Sequence, residues 1–146
     1  MSEIKTYKIF TAGKMGGLTY SEQMKWRNRI ESIIRARTDK SLIFIHPPNY
    51  YQYDDGVSET EKKVWEMSQI KDSDIVIMDL ATIKDSIGTH IEIGLIEGMN
   101  QFGYKHIHIV GIGEPNTDHP WISQSILHRE DTLEDAADYI INYLLV

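Results

Sequence analysis

Four short apolar runs recur along this chain with helical patterns between them, and that alternation restricts the fold more than any other feature. They are Tyr7–Gly13 (YKIFTAG), Leu42–Pro48 (LIFIHPP), Asp74–Leu80 (DIVIMDL) and His106–Gly113 (HIHIVGIG). Continuous apolar strands, without polar alternation, are the pattern of a sheet buried on both faces. Between them, Thr19 and Glu22 form a capping box, and Trp26, Ile30, Ile33 and Ile34 follow at helical spacing. Ser58 and Glu61 open a second helix through VWEMSQI. IGTHIEIGLIEGMNQFG reads as a third, with Ile91, Leu95, Met99 and Phe102 as its core face. Thr132 caps a last helix with an apolar face of Leu133, Ala137, Ile140, Ile141 and Leu144, and a short strand is expected near Ile126–His128.

Strand–helix alternation predicts an α/β fold: a mostly parallel sheet of about five strands with helices on both faces. The length, 146 residues without internal repeat or linker, predicts one domain over 1–146. Such sheets bind ligands outside the carboxyl ends of their strands, near the point where strand order reverses. The segments concerned are Gly13–Thr19, His46–Gly56, Leu80–Glu92 and Gly111–Trp121, where the glycines, prolines and unusual polar residues collect.

Composition narrows the chemistry. There is no cysteine, which excludes disulfides, thiolate zinc sites and a cysteine nucleophile. The net charge of -7 argues against a polymeric nucleic acid partner, because phosphate neutralisation by Lys and Arg drives that affinity. No apolar run approaches the ~20 residues of a membrane span, so no membrane partner and a cytoplasmic protein are expected. No metal or other cofactor is expected either. Asp72 and Asp74 lack a third acidic ligand nearby, and His106 and His108 share one strand face without an evident carboxylate partner.

Two loops carry possible chemistry. AGKMGGL, with Gly13, Lys14, Met15, Gly16 and Gly17, lies between a strand and a helix, where backbone N–H groups and the helix start favour anions. It is neither a Walker A loop nor a full dinucleotide fingerprint, and a flexible turn is the alternative. In DSIGTHIEIG, Gly88 and Thr89 stand near a helix start and Glu92 one turn further on. The wheel sets Glu92 beside the Ile91 stripe, at the core boundary, where the helix dipole would favour its charge; an ordinary N-terminal glutamate is the bland reading.

With these pieces assembled, the chain resembles the nucleoside 2-deoxyribosyltransferase family. The likeness is carried by IFTAGKMGG, SDIVIMDL and, above all, SIGTHIEIG, with HPWI and a capped helix near the end, and it runs over nearly the whole chain. The resemblance implies a flavodoxin-like sandwich, a small-molecule nucleoside or nucleotide substrate, and a homo-oligomer that completes its pockets with a neighbouring subunit; Tyr20, Trp26, Tyr104 and Trp121 are candidate interface aromatics. By that match Glu92 is the nucleophile on the anomeric carbon, and Glu66 contacts or protonates the leaving base; a solvated helix charge is the alternative for Glu66. Ser86 departs from the transferases of free nucleosides, which tend to carry aspartate there. Relatives that hydrolyse deoxynucleoside 5'-monophosphates carry serine at that position and a glycine-rich first loop like GKMGG, to which Lys14 would add a cation. A second departure is Phe10, which stands where the family often has a tyrosine that orients the nucleophile. A tyrosine of Asn49–Asp55 (NYYQYDD) would then substitute, and Asn49, Tyr50 and Tyr51 would help form the base pocket; a plain surface loop is the alternative.

The expected activity is therefore cleavage of the N-glycosidic bond of 2'-deoxynucleosides through a glutamyl-sugar intermediate, with transfer to another base first in order. Hydrolysis of (deoxy)nucleoside 5'-monophosphates comes second and a non-catalytic nucleotide-binding module third.

Overall fold

The computed structural model of the chain describes residues 3–51 and 56–146. The elements run in order β1 (Thr6–Ala12), α1 (Tyr20–Arg37), β2 (Ser41–Ile45), α2 (Pro47–Tyr51), α3 (Glu59–Lys71), β3 (Ile75–Asp79), α4 (Ile87–Gln101), β4 (His108–Ile112), α5 (Pro120–Ser125), β5 (His128–Glu130) and α6 (Leu133–Tyr139). A 3-10 turn, Ile83–Asp85, precedes α4, and Ile140–Leu144 continues α6 as a wider helical turn.

All strand pairs are parallel, in the order β2-β1-β3-β4-β5. This is the flavodoxin-like order, whose crevice opens between the carboxyl ends of β1 and β3. Alternation along each strand sorts the core into two layers. Tyr7 and Ile9 of β1, Ile75 and Ile77 of β3, and Val110 and Ile112 of β4 face α1 and α6. Phe10, Ala12, Val76, Met78 and Ile109 face the opposite layer, with Ile70 of α3 and Ile93 and Ile96 of α4. The sheet is thus covered on both sides, in a three-layer α/β sandwich.

Local chemistry explains the element ends. Thr19 Oγ1 accepts from Glu22 N at 3.1 Å and Glu22 Oε1 accepts from Thr19 N at 2.9 Å, so the capping box forms in both halves. Ser58 Oγ accepts from Glu61 N at 3.1 Å. Pro47 and Pro48 end β2 and also begin α2, since proline is pre-set for the first helical turn. The aromatic segment expected as a loop is therefore helical through Tyr51; its residues 52–55 lie outside those described.

One register differs from the sequence reading. On α4 the buried stripe is Thr89, Ile93, Ile96 and Met99, whereas Ile91 and Phe102 are exposed. Ile87, Ile91, Ile93 and Ile96 fall on two faces of the helix, and contact with the sheet, not the wheel, selects the stripe. The last strand also lies two residues later than expected, at His128–Glu130.

Gly111 gives the fold a sharp steric test. A Cβ there would stand 2.4 Å from Leu80 Cδ1, 2.9 Å from Leu80 Cγ and 3.1 Å from Ile126 Cγ2. Gly111→Ala is expected to destabilise the protein by about 1–3 kcal/mol, because overpacking forces buried neighbours off their rotamers. Chemical denaturation would measure this as a lower midpoint at unchanged slope.

Candidate active site

The site is built from the loop after β1 and the segment after β3. Gly13 leaves β1 so close to its neighbours that a Cβ would sit 3.1 Å from Trp26 Cζ2 and 3.2 Å from Asp79 Cβ. Gly17 adopts φ +80°, the left-handed region that glycine enters without strain. Gln23 of α1 holds the loop, donating from Nε2 to Met15 O at 2.9 Å and to Leu18 O at 3.0 Å. After β3, Asp79 accepts from Ala81 N at 3.2 Å and Thr82 Oγ1 at 3.3 Å, which turns the chain toward α4. The hydroxyls of Ser86 and Thr89 meet at 2.6 Å in its first turn.

Between these segments lies a cleft with two arms. One, of about 240 Å³, is bounded by Gly13–Gly16 on one side and Asp85–Thr89 on the other. The other, of about 270 Å³, has Tyr51, Met67 and Ile91 among its walls, with Glu59, Lys62 and Lys63 of α3. Met15, Gly88, Glu66 and Glu92 line both arms, so the two carboxyl groups stand at the junction.

Several sequence candidates lie elsewhere. Phe10, expected to contact the substrate, is instead fully buried in the core layer with α3 and α4 and lines neither arm, because strand alternation turns its ring inward. Gly17 shapes the loop without lining the cleft. Asn49 accepts a hydrogen bond from Tyr20, and Tyr50 stacks face to face on Trp65 at 3.8 Å; neither lines the cleft. Tyr51 alone of that trio does. His106 and His108 pack ring to ring at 4.5 Å at the other end of the sheet, near Asp74, whose carboxylate accepts from Lys8 N at 2.9 Å. Tyr104 and Trp121 are exposed, Tyr20 is partly so, and Trp26 is half-buried over the Arg27 guanidinium.

Burial dominates the electrostatics. The sequence reading expected the helix dipole to favour the Glu92 charge; Glu92 instead sits in the second turn of α4, beyond the first turn in which that effect acts. Its Oε2 is shielded from solvent and, among the described residues, has no hydrogen-bond partner. Burial pushes its pKa up to about 8, the nearby Glu66 adds to the rise, and Arg27 opposes it. Glu66 is also raised by burial, against the nearby Tyr51 phenol and the charge of Arg27; that phenol donates to Lys62 O at 3.3 Å. Tyr51 is raised in turn by burial and by Glu66, so its phenol keeps its proton. The charge of Glu66 disfavours ionisation of Glu92, because like charges in one site oppose each other.

The residue that sequence reasoning passed over is Arg27. It is fully buried and remains a cation, its pKa lowered by burial only to about 10. A signal was present: Met24, Arg27, Ile30 and Ile34 share one helical stripe, which sets a guanidinium among apolar neighbours.

The sequence matches no protein-family model and no curated protein. Solved structures do match. That of the CMP N-glycosidase BcmB of Clostridium botulinum aligns with a TM-score of 0.60 over 94% of this chain and 99% of its own, at 15% identity. At that identity the likeness establishes the fold, a flavodoxin-like three-layer sandwich with a five-stranded parallel sheet. No described helix is long and apolar enough to cross a membrane.

Proposed function

We propose that the chain cleaves the N-glycosidic bond of (deoxy)nucleoside 5'-monophosphates through a covalent sugar ester on Glu92. The observation that carries this reading is the Glu92 carboxyl group itself: its Oε2 is shielded from solvent and unpartnered among the described residues, and it stands where the two arms meet. An unpaired buried carboxyl is costly to a fold and is expected where a ligand completes it.

The arms suit the two ends of a nucleotide. The glycine-lined arm offers backbone N–H groups, the start of α4, the Ser86 and Thr89 hydroxyls, and Lys14, all suited to a phosphate. The other offers the Tyr51 ring, Met67 and Ile91 to a planar base. In the proposed reaction Glu92 acts from its ionised form, the minor one at neutral pH given its raised pKa; the carboxylate attacks C1' as the C1'–N bond breaks, and the bond's electron pair leaves with the base. Glu66, close to Tyr51, gives the base its proton. Water then attacks C1', returns a proton to Glu66 and frees Glu92, as in retaining glycosidases.

The resemblance put transfer between bases first. The phosphate-suited arm moves hydrolysis of a monophosphate ahead of it, and the activity in the name of the structural neighbour agrees. Incubation with each nucleoside 5'-monophosphate, and separately with deoxyinosine plus adenine, distinguishes the readings. Free base with pentose 5-phosphate is the expected result. Deoxyadenosine in the second mixture alone supports transfer, and tight binding without turnover supports a non-catalytic module.

Lys14→Ala and Ser86→Ala should each raise KM for the monophosphate about 10-fold or more and leave the parent nucleoside little changed, as charge-assisted hydrogen bonds are worth about 1.5–3 kcal/mol. Steady-state kinetics on the two substrates measures this. An oligomer would be sought on the exposed aliphatics Ile87 and Ile91 beside the cleft, by sedimentation.

A further inference from the structure

We infer that Arg27 is a positioning residue of this site: its buried guanidinium pins the first loop from beneath and supplies the fixed positive charge against which the Glu66–Glu92 pair is held. Its consequence for catalysis rests on the reading above; its consequence for the unliganded protein does not.

A guanidinium with no solvent exposure carries a desolvation penalty of several kcal/mol unless its surroundings compensate. The other arginines of α1 avoid this: Arg29, Arg35 and Arg37 reach partly exposed acids. Arg27 instead donates from Nε to Thr11 Oγ1 at 3.2 Å, from Nη1 to Gln23 O at 2.5 Å and from Nη2 to Gly13 O at 3.2 Å. These acceptors are all neutral, and among the described residues no carboxylate makes an ion pair with it. Its charge is left to act at longer range on Asp79, Glu92 and Glu66. The bond to Gly13 O fixes the first residue of the loop that walls the glycine-lined arm.

The guanidinium is itself held in place. Thr11 Oγ1, which accepts from Arg27, lies 2.8 Å from His46 Nδ1, and His46 Nε2 lies 2.6 Å from Glu31 Oε1. Burial disfavours the charged imidazole. A neutral ring with its proton on Nε2 donates to Glu31 and leaves Nδ1 to accept the Thr11 proton. That turns a lone pair of the hydroxyl toward Arg27. Glu31 in turn accepts from Arg35 Nε at 2.8 Å, so the chain of bonds reaches the surface.

The charged and titratable groups around Glu92 are Arg27 of α1, Tyr51 of α2, Glu59, Lys62, Lys63 and Glu66 of α3, and Lys14 and Asp85 of the two loops, with Asp79 of β3 beside Gly13. Arg27 is the cation whose field reaches Glu92 strongly enough to oppose the effect of burial. Lys62 is turned to Glu59 at 3.1 Å.

The test is made on the unliganded protein, by carbon-13 NMR titration of the Glu92 side-chain carboxyl and by amide exchange across Gly13–Gly17. Arg27→Met is expected to raise the Glu92 midpoint by about one pH unit or more and to speed exchange of the loop. Arg27→Lys keeps the charge and loses the fork, so the midpoint should stay within about half a unit while the loop still exchanges faster. A folded Arg27→Met with an unmoved midpoint overturns the inference. So does an Arg27→Lys midpoint that rises by a unit, or an Arg27→Lys loop that exchanges as the parent does. Arg27→Lys carries the test alone if Arg27→Met does not fold. Shifts seen in a protein that turns over no nucleotide uphold this inference and sink the proposed activity. With activity present, the acid limb of kcat/KM should follow the same order.

Discussion

Glu92→Gln is expected to abolish turnover and to leave a protein more stable than the parent at alkaline pH. The loss of activity follows from the role assigned to the side chain: an amide is a poor nucleophile at C1', and removal of a covalent nucleophile costs about 10³-fold or more. The gain in stability follows from the same burial. The Glu92 pKa is about 8 in the folded protein against an ordinary value of 4.5. Over that window the native state holds a proton that the unfolded chain has released, so stability falls as pH rises from 4.5 to about 8 and is level above. At about 1.4 kcal/mol per pH unit, discounted for relaxation and water entry, the parent gives up about 2–4 kcal/mol by about pH 9. The glutamine does not titrate and gives up none of it. Paired denaturation curves should coincide near pH 4 and separate above neutrality with the variant the more stable. Coincidence at both ends would mean that Glu92 is solvated.

Glu66→Gln should lower kcat/KM about 10²–10⁴-fold on nucleotides whose base must be protonated as it leaves. A substrate whose base departs as a stable anion should lose about tenfold or less, because that proton is no longer needed. Equal losses on both would reduce Glu66 to a scaffold residue. The variant carries a second signature of definite sign. Glu66 raises the Glu92 pKa, so its replacement should move the acid limb of the pH profile to lower pH. Arg27→Met moves that limb the other way.

How much of this was legible beforehand depended on the range of the interaction. The strands were written in runs such as DIVIMDL, because a strand covered on both faces needs apolar residues at successive positions. The helix starts were written in Thr19, Ser58 and Thr132, whose hydroxyls cap the local backbone. Glu92 could be singled out from its place after Gly88 and Thr89. Its environment could not, since the raised pKa comes from the packing of α3 against α4 and from Glu66, distant in sequence.

The misreadings have the same origin. Ile87, Ile91 and Leu95 form a helical stripe as regular as Ile93, Ile96 and Met99, and only the docking of α4 on the sheet chooses between them. Phe10 occupies a matched position on β1, yet alternation along the strand turns its ring into the core and gives its neighbour Thr11 to Arg27. Arg27 was hidden by its company: in MKWRNRIESIIRAR one arginine among four looks like surface charge until Met24 and Ile30 are seen on its own stripe.

Intact-protein and peptide mass spectrometry of a rapidly quenched reaction with a nucleoside 5'-monophosphate tests the central claim most directly. The prediction is an adduct of one pentose phosphate, esterified to Glu92, that forms and decays at the rate of turnover and is missing from Glu92→Gln. Turnover with the adduct on another residue, or Glu92→Ala turning over substrate as fast as the parent, would contradict it.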